Sequence, residues 1–127
     1  MRWPFLLICA ALFAGFPTVV PAADQPPKVD GVIKRLSTGE PTRIVCFGDS
    51  ITGAYYHTGG ERAWCDMLGL AIQRVYPQSR LEMINAGISG NTTAAGLVRM
   101  EKDVVEKQPH LVVVMFGMND VARLPLD

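Results

Sequence analysis

Three short polar turns hold the residues whose types and spacing can do chemistry: Gly48-Asp49-Ser50, Asn85-Ala86-Gly87-Ile88-Ser89-Gly90-Asn91 and Gly117-Met118-Asn119-Asp120. Each follows an apolar run. Ser50 comes directly after a glycine turn, which can lift its hydroxyl toward solvent, as a nucleophile requires. The same tripeptide also serves as a plain strand-to-loop turn with a capping serine. Gly87 and Gly90 bracket a segment that leads into a helical pattern, so the Gly90 N–H can point unobstructed into a crevice. A donor there would hold an oxygen that gains negative charge, worth about 3 kcal/mol of barrier. The competing role is left-handed backbone geometry at a helix entry. Asn119 offers its side-chain amide to the same oxygen, or an N-cap to the next helix. Asp120 reads as a helix-entry carboxylate, and Gly48 and Asp49 as support for the Ser50 turn.

The segments between these turns predict the frame that positions them. Arg43-Ile44-Val45-Cys46-Phe47 is a short apolar run ending at Gly48, which suits a buried strand. From Ala63 to Tyr76, Trp64, Met67, Leu68, Ala71, Ile72 and Val75 recur at helical spacing before Pro77 closes the segment. Leu81 to Ile84 reads as a second strand. Thr92 or Thr93 can cap a helix to about Lys107, bent or interrupted near Gly96. Leu111 to Phe116 is a third strand, six apolar residues closed by Gly117. Strands alternating with helices predict an α/β fold with a parallel sheet, whose ligand crevice lies beyond the carboxyl ends of the strands. All three polar turns fall at those ends.

The chain has 127 residues, about half of them apolar and 19% charged, with twelve basic and twelve acidic side chains. Such a chain holds at most one modest domain, and zero net charge leaves no electrostatic footprint for nucleic acid. Residues 1–23 follow the layout of a secretory signal: Arg2, an apolar stretch from Phe5 to Phe16, then Val20-Pro21-Ala22, with cleavage expected after Ala22 or Ala23. The stretch is too short for a membrane span, and Pro17 interrupts it. The expected location is secreted or periplasmic. Residues 24–41, rich in proline and glycine, read as a tether with one short helix at Val29 to Leu36. Removing the signal leaves Cys46 and Cys65, able to form a disulfide in an exported protein but expected as two free thiols, since Cys46 lies in an apolar run.

Taken together, the three turns closely resemble the first three blocks of the SGNH, or GDSL-type, esterases and lipases, over about Thr42 to Val121. The resemblance implies a flavodoxin-like, three-layer α/β/α hydrolase acting on ester bonds. Position by position, it implies Ser50 as nucleophile and as one oxyanion donor through its own N–H. Gly90 would be the second donor and Asn119 the third. Ile51 replaces the leucine of the GDSL name and touches no catalytic atom. No Cys/His grouping has metal-ligand spacing and no nucleotide-binding glycine loop is present, so no metal and no cofactor is expected. The resemblance suggests a small-molecule or carbohydrate ester as substrate, a carbohydrate O-acetyl ester or a lipid ester.

The departure from the family pattern is the base. Its histidine and orienting aspartate come from a late Asp-x-x-His block, and no aspartate here is followed three residues later by histidine. His110 begins the third strand at the end opposite the crevice, a strand-edge position. His57 lies in the loop after Ser50 without an orienting carboxylate. The expectation is therefore a chain with its C-terminal part missing, whose third strand exposes an unpaired edge in the 2-1-3-4-5 strand order. The rival is a non-catalytic carbohydrate- or ester-binding protein, or an inactive remnant. Tyr55, Tyr56 and Gly59-Gly60 read as a pocket rim or an ordinary surface loop. Trp64 reads as core, and Arg99 as a solvated charge that can pair with Asp103 one turn on.

Overall fold

The β-branched and aromatic run Ile44-Val45-Cys46-Phe47 cannot remain in water and forms the centre of the sheet. It lies in β1 (Pro41–Gly48), whose residues from Ile44 to Phe47 are all at most 5% exposed. The computed structural model describes residues 29–53 and 55–122. The expected signal and its expected cleavage site at Ala22 or Ala23, with the start of the expected tether, lie outside the described residues. Around β1 stand β2 (Arg80–Gly87) and β3 (Leu111–Met115), both parallel to it, in the order β2-β1-β3. This is the predicted α/β fold with a parallel sheet, and among the described residues β3 is paired on one side only.

Helices cover both faces, and the side-chain alternation of β1 decides which helix sees which residue. Ile44 and Cys46 share a face with Met83, which touches Gly69 of α3 (Trp64–Val75). Val45 and Phe47 face the other way, packing with Ile84, Ala86, Val112, Phe116 and Val104. Val104 ends α4 (Thr93–Asp103), so the layers run α3, sheet, α4. Thr92 caps α4 by accepting from the Ala95 N–H, as its sequence position predicts.

Several boundaries differ from the sequence expectation. The helix expected at Val29 to Leu36 is α1 (Val29–Thr38), two residues longer; it buries Val32 and Leu36, and the chain enters β1 at Pro41. Strand β2 runs to Gly87 rather than Ile84, because its register with Cys46, Phe47 and Gly48 draws the polar residues into the ladder. Gly96 does not interrupt α4. It is buried where a Cβ would stand 2.8 Å from the Phe116 ring, so its role is close packing. The helix ends at Asp103, and a 3-10 turn, Val105–Lys107, follows. Trp64 is half-buried rather than core.

Cys46 on β1 and Cys65 on α3 are buried free thiols, as expected. Burial pushes both thiols above their ordinary range, and for Cys46 the hydrogen bond with Cys65 adds to the rise. A thiol reagent at pH 8 should therefore leave both cysteines unmodified in the folded protein and modify both in denaturant. Peptide mapping should give native rates at least about 10³-fold slower, set by the opening equilibrium. Fast native modification of either thiol would contradict this packing.

Candidate active site

Parallel register brings the three polar turns to one end of the sheet. Gly48 is paired with Gly87 on one side and with Met115 on the other. Ser50 therefore follows the central strand by two residues, Gly90 follows β2 by three, and Asn119 follows β3 by four. A hydrogen bond from Ile88 N–H to the Gly48 carbonyl ties the second turn to the first.

The Ser50 turn is built by its neighbours. The buried Asp49 caps a short helix, α2 (Ser50–Gly53): its Oδ1 accepts from Ile51 N–H at 2.9 Å, and its carbonyl accepts from Thr52 and Gly53. Ser50 is the first helical residue, and an N–H at that position has no intrahelical acceptor. It is half-buried. Gly48 and Gly53 make this tight turn possible, since a Cβ on Gly48 would lie 2.1 Å from Thr52 Oγ1 and one on Gly53 2.1 Å from the Gly87 carbonyl.

In the second turn the two glycines have different tasks. Gly90 has φ +75° with open space where a Cβ would stand, whereas Gly87 sits where only hydrogen fits, beside Gly53. Asn119 lies in α5 (Met118–Val121), whose N-cap is Gly117, so Asn119 is the second helical residue and not the N-cap. Its Nδ2 donates to the Asn91 carbonyl at 2.9 Å. That bond uses one amide hydrogen and leaves the other for a further acceptor. Asp120 caps α4 instead of its own helix, its carboxylate accepting from Thr93 N–H and Oγ1.

Arg99 is the residue that the sequence misassigned. It is not a solvated charge. Its side chain is 13% exposed, and besides the expected ion pair with Asp103 at 2.9 Å it donates to three further acceptors, at the ends of β1 and β2 and in the turn after β2. A guanidinium removed from water is stable only when such partners satisfy it.

The two histidines sit apart. His110 is at the far end of the sheet, its Nδ1 accepting from Arg43 N–H at 3.0 Å, beside an open cavity of about 310 Å³. His57 lies in the 3-10 turn Tyr55–Thr58 that follows α2. The side chains of Tyr55 and Tyr56 fall outside the described residues, so the pocket-rim reading stays an expectation.

A family model for GDSL-like lipases and acylhydrolases matches residues 46–127. The chain belongs to that family. The GDSL-like relatives include the acetylxylan esterase of Geobacillus stearothermophilus, 35% identical over 99 residues, covering 69% of this chain and 44% of the esterase. A lipoprotein of Bacillus subtilis is 34% identical over 85 residues, covering 64% of this chain and 33% of the lipoprotein. Among solved structures, a two-domain esterase active on acetylated mannans superposes with a TM-score of 0.67 at 32% identity, over 72% of this chain and 25% of that protein. The chain thus spans less than half the length of these GDSL-like relatives.

Proposed function

We propose that this chain carries the nucleophile and the oxyanion hole of a serine ester hydrolase exported from the cytoplasm. In the full-length protein, Ser50 Oγ attacks the ester carbonyl. The oxygen that becomes negative is held by the N–H groups of Ser50 and Gly90 and by the Asn119 side chain. A histidine base, expected from the family's late Asp-x-x-His block in the full-length protein, takes the Ser50 proton and returns it to the leaving alcohol; water then releases the acyl group. The single observation that carries this reading is the Asn119 amide bonded to Asn91, next to Gly90, at the strand end where Ser50 stands. Acetyl esters of carbohydrate are the substrate class favoured by relatives named for acetylated xylan and mannan. A lipoprotein among the relatives supports an address in the cell envelope or outside the cell, as does the signal-like start of the chain.

The test is stoichiometric inactivation by an organophosphonate, which reacts only with an activated serine and places its P=O oxygen in the oxyanion site. The label should map to Ser50, and Asn119→Ala should slow labelling by about 10²–10³-fold. Label on another serine, or an Asn119→Ala protein labelled at the wild-type rate, would remove this reading. A protein that binds acetylated oligosaccharide without labelling would be the non-catalytic relative.

A further inference from the structure

The guanidinium of Arg99 bonds the ends of β1 and β2 and the turn that carries Gly90, and reaches the Asn119 segment through that turn. Its Nη2 donates to the Gly48 carbonyl at 2.8 Å, the last residue of β1 and two before Ser50. Its Nη1 donates to the Ala86 carbonyl on β2 at 2.8 Å. Its Nε donates to Asn91 Oδ1 at 2.8 Å, on the residue that follows Gly90. The third donor is reached through the same residue, because Asn91 also accepts from the Asn119 amide through its carbonyl. The guanidinium lies 4.5 Å from the Phe47 ring centroid and 6.0 Å from that of Phe116, aromatic residues of β1 and of the segment after β3.

We propose that Arg99 is a positioning residue that sets the mutual spacing of the Ser50, Gly90 and Asn119 donors; its catalytic consequence rests on the serine-hydrolase reading. Carbonyls at the carboxyl end of a parallel sheet, with the turns beyond them, have no continuing strand to hold them in register. Arg99 replaces that strand with one planar group. Its fixed fork directs each N–H to a different segment, which a lysine ammonium on a flexible stem cannot do. Asp103 neutralises the charge from the helix side at i+4. A role confined to stability would lower the fraction of folded protein and leave each folded molecule at the wild-type rate. A positioning role instead changes the reaction within folded molecules.

Arg99→Lys and Arg99→Met in the full-length protein separate the two. For folded Arg99→Lys, KM for a small acetyl ester should stay within about twofold while kcat falls by about 10², as expected for donors displaced by a fraction of an ångström. The Gly90 amide and Asn119 carboxamide NMR signals should broaden or exchange at least about tenfold faster, with the Val45 amide in the core unchanged. Arg99→Met should be at least as impaired. Asp103→Asn, which keeps the bonds to Gly48, Ala86 and Asn91, should hold kcat within about threefold. Unchanged kcat per folded Arg99→Lys molecule, undisturbed Gly90 and Asn119 signals, or an Asp103→Asn loss equal to that of Arg99→Lys would overturn the proposal. Failure of the serine-hydrolase reading is recognised separately, by wild-type hydrolysis that survives Ser50→Ala. In that event the NMR signals alone decide Arg99: loosened signals uphold its positioning role and unchanged ones overturn it.

Discussion

Ser50→Ala should reduce kcat for a small acetyl ester by about 10⁴–10⁶ in the full-length protein while leaving its folding unchanged. Two features separate the chemical effect from a structural one. The turn is held by Asp49, through its side-chain bond to Ile51 N–H and its carbonyl bonds from Thr52 and Gly53, and none of these involves the serine hydroxyl. Alanine is also a good first residue for a helix, so α2 keeps its start. The expected change in stability is within about 0.5 kcal/mol, read from a urea transition. The proposed oxyanion donors remain in the variant, the backbone N–H at position 50 included, and should sustain a residual rate about 10³-fold above water alone. Hydrolysis at the wild-type rate would show that another group attacks the ester. A loss matched by a lower unfolding midpoint would instead make Ser50 a structural capping residue.

The first and third turns were legible because each follows a continuous apolar run, Ile44 to Phe47 and Leu111 to Phe116, that must end in a polar loop; of the three strands only β1 is buried on both faces. Arg99 was invisible for a related reason. Helical spacing shows only the partner one turn away, Asp103, whereas its carbonyl acceptors lie 13 and 51 residues distant in the chain. Those distances close only once β1 and β2 are paired. Asp120 was legible as a capping group but not as a cap for a helix whose first residue, Thr93, lies 27 positions earlier. The end of β2 was misjudged because Asn85, Ala86 and Gly87 have poor strand propensity, and tertiary register overrides propensity in a strand that pairs with the most buried one. Gly96 showed the opposite bias: a glycine in a helical pattern suggests a bend, but here the missing side chain makes room for an aromatic ring.

The same logic of missing side chains gives the second large effect. Gly87 ends β2, and a Cβ there would stand 2.1 Å from Gly53 N, 2.4 Å from Gly53 Cα and 2.8 Å from the Asp49 carbonyl oxygen. All three are backbone atoms, so no rotamer change relieves the clash, and α2 itself must move. Gly87→Ala should therefore cost about 3 kcal/mol of stability, at the upper end for overpacking. The displacement falls on the turn that presents Ser50. A shift of about 1 Å there should lower kcat by about 10² beyond the loss of folded protein. Urea unfolding measures the first effect, and kcat corrected for the folded fraction measures the second. Gly31→Ala is the control: this helical position has nothing within 4 Å of the added methyl, so stability should hold or rise by up to about 1 kcal/mol. If Gly87→Ala behaves like Gly31→Ala, the β2 end and the Ser50 turn are not interlocked. If stability falls and kcat per folded molecule does not, the interlock is real but the serine turn tolerates displacement, and the oxyanion geometry must be fixed from the Asn91 side alone.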